Sequence, residues 1–193
     1  DVLSDKVSNE DWLDSIFEII NRQNIDYVLV GLDFEVPLFA KFRNRIEALY
    51  GCRVIVSSEK VVEICNDKWY NQIIFQQHDV NTPATVLIRH AEGALDAAEK
   101  LDNKYPMILK TSIGSQGVGV MWVESAKALV GIVQLLYRES PYVDILLQEH
   151  IKTTYDVRVI VVGGEILGAM KRPIISGDFR SNVSQGSEPE VIE

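Results

Sequence analysis

Apolar residues in this chain come in short runs separated by stretches of helical periodicity, and that alternation constrains the fold more than any single motif. Trp12, Ile16, Ile19 and Ile20 recur at helical spacing, so residues 9–22 are expected to form an amphipathic helix, with Ser8 and Asp11 as its capping box. Residues 27–31 (YVLVG) form a continuous apolar run, as a buried parallel strand does. Residues 35–50 return to helical spacing, Gly51 stops them, and 53–57 (RVIVS) read as the next strand. Helix, strand, helix, strand implies right-handed crossovers and a parallel sheet. Such a unit normally starts on a strand, so one more strand is expected ahead of the first helix.

The texture then changes. Residues 58–78 read as mostly helical, and NTPAT at 81–85 breaks the pattern, because the residue before a proline is pushed out of the helical region. Beyond it, strands are expected at 83–88, 107–111, 118–123 and 144–148, with helices at 90–101 and 125–138. Residues 157–162 and 165–170 read as a hairpin about Gly163-Gly164, a dipeptide suited to a tight turn with positive φ. These changes place a domain boundary at 79–83.

Charge excludes several classes of function. With 28 acidic and 19 basic side chains the formal charge is −9. A net anion is repelled by nucleic acid and by anionic membrane unless its cations are gathered in one place. A hydrophobic content of 47% and a mean hydropathy of +0.03 argue against disorder. No apolar run approaches the roughly 18 residues of a membrane span. The opening DVLSDKVSNED is polar and acidic, unlike a secretory signal, and the chain lacks an initiator methionine, so residues are expected to be missing before it. Cys52 and Cys65 read as thiols of a reducing cytoplasm rather than a disulfide, and His78, His90 and His150 stand far from both, which argues against a soft-ligand metal site.

The chemistry concentrates in residues 107–123, MILKTSIGSQGVGVMWV. Gly114, Gly117 and Gly119 sit between two expected strands, which is the wrong setting for a Rossmann fingerprint, and no Gly-Lys-Ser/Thr closes a Walker loop. The segment reads either as an ordinary glycine hairpin or as a flexible loop, with Ser115 and Gln116 at its tip, that lays backbone N–H groups over a phosphate chain. Lys110 follows Met107, Ile108 and Leu109, a poor place for an ammonium without an anionic partner. Lys68, after Asp67 at the start of a helix, reads either as a solvated lysine or as a second ligand. Gln148 to Ile151 end an apolar strand; an adenine ring needs an apolar slot with a donor and an acceptor from extended backbone, and such a segment offers both. His150 also fits a surface position. Arg158, Lys171, Arg172 and Arg180 gather between residues 158 and 180, either as a solvated face or as an anion site suited to arginine forks. Arg158 shares a strand face with Asp156 and Ile160.

Lys68 in NDKW, Lys110 followed by GSQGVGV, QEHI (148–151), DVRV (156–159), the hairpin and DFRSN (178–182) stand in the order found in ATP-grasp ligases. The chain most resembles the RimK-like branch, which joins a carboxylate to an amine. Residues 24–42 (NIDYVLVGLDFEVPLFAKF) through 64–69 (ICNDKW) look like the pre-grasp domain of the carbamoyl-phosphate synthetase type. The resemblance implies an α/β fold, α+β in the grasp part: a parallel-sheet pre-grasp domain (1–80), a small lobe with the glycine loop (81–147) and the start of a C-terminal lobe (148–193).

It also implies roles. ATP would be held by Lys68 and Lys110 at its phosphates, with Gly114, Ser115, Gln116 and Gly117 covering them. Gln148, Glu149, His150 and Ile151 would meet the adenine and Asp156 the ribose or phosphates, while Arg180, Ser181 and Asn182 would line the reacting phosphate. Arg158, Arg172 and Arg180 would be the catalytic cations. The activity implied is ADP-forming: a carboxylate becomes an acyl phosphate and an amine then displaces phosphate. The family's Mg²⁺ ligands would lie beyond residue 193, so the chain as given is expected to be incomplete and inactive by itself. Partners would be a small-molecule carboxylate and amine in the cytoplasm, with no nucleic acid and no membrane, and a homodimer is allowed. Other readings are a carbamoyl-phosphate-synthetase-like or biotin-carboxylase-like enzyme acting on bicarbonate, a non-catalytic nucleotide-binding domain, and a dinucleotide-dependent oxidoreductase. The last is disfavoured because no G-x-G-x-x-G follows a first strand.

Overall fold

The computed structural model describes residues 9–114, 119–174 and 188–192. The chain divides into two compact units, Asp1–Asn66 and Asp67–Glu193.

In the first unit the order is α1 (Asn9–Gln23), β1 (Tyr27–Leu29), α2 (Val36–Tyr50), β2 (Arg53–Ile55) and α3 (Glu59–Asn66). β1 and β2 pair in parallel, Val28 opposite Val54, as the alternation of elements requires. α1 and α2 cover one sheet face: Trp12, Leu13, Phe17 and Ile20 meet Phe39, Ile46, Cys52 and Val54 in a single cluster. Trp12 packs edge-on against Phe39 at 4.8 Å between ring centroids, a favoured aromatic geometry. Tyr27, Leu29 and Ile55 point the other way and are exposed. α2 ends where Gly51 turns to φ 67° and donates its N–H to Glu47 O at 2.9 Å. Both cysteines are free thiols, Cys52 buried and Cys65 exposed. Ser8 of the expected capping box lies outside the described residues.

The helical stretch after residue 58 is two helices rather than one. Asp67 interrupts it by capping α4 (Lys68–Gln77), its carboxylate accepting from the N–H groups of Trp69 and Tyr70 at 2.8 and 3.1 Å. Lys68 N–H donates to Ser112 O at 3.0 Å. α4 therefore belongs to the second unit, and the division falls between Asn66 and Asp67 rather than in the proline-containing break at 79–83.

The second unit continues with β3 (Thr85–Ile88), a 3₁₀ turn (Ala91–Gly93), α5 (Ala94–Glu99), β4 (Met107–Thr111), β5 (Val120–Val123), α6 (Ala126–Glu139) and β6 (Ile145–Glu149). Its four-stranded antiparallel sheet runs β3-β6-β4-β5. Side chains alternate between its faces. Ile88, Met107, Leu109, Val123, Ile145 and Leu147 form one face with Ala94, Ala97 and Ala98 of α5 and Leu129 and Val133 of α6. The small alanines allow close approach of α5, and each fully buried aliphatic side chain contributes about 1.5–3 kcal/mol. The opposite face carries Thr85, Ile108, Lys110, Trp122, Leu146 and Gln148.

β7 (Tyr155–Val162) and β8 (Glu165–Pro173) then form the hairpin, turning on Gly163 and Gly164 at φ 60° and 87°. It is longer than its apolar core suggests, because pairing runs out to Tyr155 opposite Pro173. The register shifts at a bulge between Ile160 and Val161. β9 (Glu190–Ile192) adds antiparallel to β8.

Candidate functional site

The polar side chains on the face opposite the core of the β3-β6-β4-β5 sheet converge. Lys110, half-buried on β4, donates from Nζ to Gln148 Oε1 at 2.6 Å. Gln148 Nε2 in turn donates to Thr85 Oγ1 at 2.8 Å. The register explains the reach: Thr85 stands directly opposite Gln148, and Lys110 opposite Leu146, the next residue of β6 on the same face.

Lys68 arrives from α4. Its Nζ donates to Gly114 O at 2.7 Å, Thr111 O at 3.2 Å and Ser112 O at 3.3 Å, the carbonyls at the root of the glycine loop. Asp67 fixes its position, because the same carboxylate that caps α4 also accepts the Ser112 hydroxyl. Burial pushes the Asp67 carboxyl up, but the Ser112 hydroxyl, the Tyr70 and Trp69 N–H groups and the Lys68 charge outweigh it, leaving it below its ordinary value.

Both ammonium groups are destabilised. Burial lowers the pKa of Lys68, partly opposed by the Asp67 charge. Burial lowers that of Lys110 as well, and the Lys68 charge lowers it further. Two partly dehydrated cations, one of which disfavours the charge of the other, form a site that an anion would relieve. Beside them lies a cavity of about 330 Å³ lined by Lys68, Gln72, Phe75, Lys110, Leu146 and Gln148. Its lining combines the two ammonium groups with apolar surface from Phe75 and Leu146.

Among the sequence candidates, Lys68, Lys110, Gly114 and Gln148 therefore come together. Glu149 closes the end of the sheet: its N–H donates to Ala84 O at 2.9 Å and its Oε1 accepts from Ala84 N–H at 2.7 Å. His150 packs edge-on against Trp122 at 4.7 Å, and Ile151 is exposed. Ser115, Gln116, Gly117, Arg180, Ser181 and Asn182 lie outside the described residues.

The expected group of cations divides. Asp156 and Arg172 face each other across the hairpin in a two-bond fork, with Arg172 Nε to Asp156 Oδ1 at 2.7 Å. The carboxylate bond raises the Arg172 pKa. Arg158, exposed on β7, shares that face, but Lys171 is on the other, its Nζ 4.7 Å from the Tyr155 ring centroid and 3.8 Å from Glu190 Oε2.

Sequence reading missed Thr85, Asp67 and Ser112, which orient the two lysines. Asp67 carries a local signal, a capping residue just ahead of a helix; Thr85 has only its place on the site face. Gln72 was missed too. It is 6% exposed and donates to Thr82 Oγ1 at 2.7 Å. Gly119 has a requirement of its own: at φ 76°, a Cβ there would stand 2.6 Å from Thr111 Oγ1. Among the described residues no three His, Cys, Asp or Glu side chains gather as a metal site, so none of them is assigned to Mg²⁺.

This arrangement of antiparallel sheet, lysine pair and glycine loop coincides with a family match: residues 65–193 match the RimK-like ATP-grasp domain, and the chain belongs to that family. Among individual proteins it is similar to a probable alpha-L-glutamate ligase of Haemophilus ducreyi, 34% identical over 160 residues, covering 75% of this chain and 50% of that protein. Another of the same description, from Rhodopirellula baltica, is 31% identical over 128 residues, covering 65% of this chain and 31% of the relative. The chain thus spans between 31% and 50% of the length of these relatives. In fold it is similar to the D-alanine–D-alanine ligase of Bacillus anthracis complexed with ATP, with a TM-score of 0.69 at 18% identity, covering 96% of this chain and 57% of that one. No described helix is long and apolar enough to cross a membrane.

Proposed function

We propose that the chain carries the nucleotide-holding part of an ATP-dependent, ADP-forming ligase that joins a carboxylate to an amine. The observation that carries this reading is the convergence of Lys68 and Lys110 beside the root of a glycine loop in a chain of the RimK-like family. The lysines take the α and β phosphates, the loop including Ser115, Gln116 and Gly117 covers them, and the segment Gln148 to Ile151 faces the adenine, with Asp156 nearby. Arg158 and Arg180, with Arg172 held in place by Asp156, offset charge on the transferring group, assisted by Ser181 and Asn182. In the reaction a carboxylate oxygen attacks the γ-phosphorus and ADP leaves. An amine nitrogen then attacks the acyl carbon, phosphate leaves, and the nitrogen loses a proton. Mg²⁺ accompanies ATP in this reading, supplying charge neutralisation at the phosphate oxygens.

The relatives' description as glutamate ligases suggests glutamate or a similar amino acid as one substrate. We further propose that the first compact unit, Asp1–Asn66, is a pre-grasp domain and that the second holds the small lobe and, from residue 148, the start of a C-terminal lobe, in a cytoplasmic protein able to dimerise. The full-length protein incubated with ATP, Mg²⁺ and candidate amines that carry no carboxyl group should release ADP only when a carboxylate, glutamate or another candidate, is added. ADP release without any carboxylate would overturn the ligase reading, and release with bicarbonate alone would move the enzyme to the carboxylase type.

A further inference from the structure

We propose that Gln148 and Thr85 are positioning residues that hold Lys110 in place with its charge intact, an inference that rests on the nucleotide reading above. The hydrogen-bond chain along the sheet face has only one polarity open to it. An ammonium group has donors and no acceptor, so the Gln148 amide must turn its oxygen to Lys110, at 2.6 Å. That leaves the amide nitrogen to donate to Thr85 Oγ1 at 2.8 Å. The Thr85 hydroxyl, having accepted, sends its own proton to Pro83 O at 2.8 Å. The chain thus ends on a main-chain carbonyl, which has no rotamers, and the direction of every link follows from the lysine.

A neutral acceptor is the informative choice at position 148. A carboxylate there would satisfy the ammonium and also cancel its charge, whereas an amide orients it and leaves the net charge for an incoming anion. A side chain with no acceptor would release a lysine stem with large rotamer freedom, which ligand binding would then have to freeze. An acceptor at hydrogen-bond distance also favours the protonated form against the burial that lowers the Lys110 pKa. Thr85 acts one step further out: without its hydroxyl the amide loses the contact that stops it turning.

The test compares ATP with adenosine, which lacks the phosphates, by calorimetric titration and NMR titration of the full-length protein. Thr85→Val removes the hydroxyl and keeps the shape; it should weaken ATP binding about tenfold and leave adenosine unchanged, with Thr85→Ser restoring the loss. Gln148→Glu, which keeps the hydrogen bond and cancels the charge, should weaken ATP at least as much. The proposal is overturned if Thr85→Val binds ATP as the parent does, or if ATP and adenosine affinities fall together. Lys110→Met separates the two levels. If it loses ATP affinity while Thr85→Val does not, only the relay fails; if it binds ATP as the parent does, the nucleotide reading fails at Lys110.

Discussion

Substituting Gly119 by alanine tests the root of the glycine loop. At φ 76° an alanine sits in the left-handed region, which costs about 1–2 kcal/mol for a side chain with a Cβ. The new Cβ would also stand 2.6 Å from Thr111 Oγ1, so that side chain must rotate. Rotation breaks the bond from Thr111 Oγ1 to Ile113 O, now 2.8 Å, for roughly another 1 kcal/mol. The sum, about 2–3 kcal/mol, should appear as a lower urea midpoint with unchanged slope, followed by circular dichroism and tryptophan fluorescence. In a Thr111→Ala background the steric part disappears, so Gly119→Ala there should cost only the backbone share, a coupling of about 1 kcal/mol. Gly131 is the control: it lies within α6, and a methyl group added there would meet nothing within 4 Å, so alanine should stabilise by about 0.5–1 kcal/mol. The reasoning is refuted if Gly119→Ala is as harmless as Gly131→Ala, or if the Thr111 background makes no difference.

Leu147→Ala, fully buried between the sheet and its helices, should destabilise by about 2–5 kcal/mol in the same unfolding assay. Tyr105→Phe should be neutral or stabilise by up to about 1 kcal/mol, because the Tyr105 hydroxyl is buried with no hydrogen-bond partner among the described residues. Asp67 has a folded pKa below the ordinary aspartate value of 3.8, so its stabilisation is present above that value and is lost as pH falls through the lower folded value. Unfolding of Asp67→Ala measured against pH should therefore lack that part of the parent's acid sensitivity and show a weaker α4, by about 1 kcal/mol for the missing cap.

Local pattern made some of this molecule legible and left other parts hidden. The parallel pairing of β1 and β2 could be read because a continuous apolar run, then a helix, then a second such run leaves few topologies. Lys110 stood out because an ammonium after three apolar residues needs an explanation. Its acceptor did not, because Gln148 is 38 residues away and meets it only through the antiparallel order of β3, β6 and β4. The break at 79–83 looked like a boundary because proline marks a change of conformation, whereas the division depends on Asp67 and Lys68 bonding to Ser112, a contact that composition does not reveal. Closeness along the chain suggested that Arg158, Lys171 and Arg172 act together, but strand alternation sends neighbouring residues to opposite faces.

The bulge at Ile160 and Val161 decides which cation Asp156 receives. Near the turn Val162 pairs with Glu165 and Val161 with Ile166, and continuing that count without interruption would set Asp156 opposite Lys171. The extra residue moves the partner along by one, so the carboxylate meets Arg172 instead. A mobile point charge is exchanged for a planar two-pronged one, and Lys171 is left to the Tyr155 ring and Glu190. Deleting Leu167, the residue the ladder skips, would thus straighten the hairpin and keep Asp156 opposite Arg172, whereas closing the bulge with every residue retained would rearrange charge on both faces.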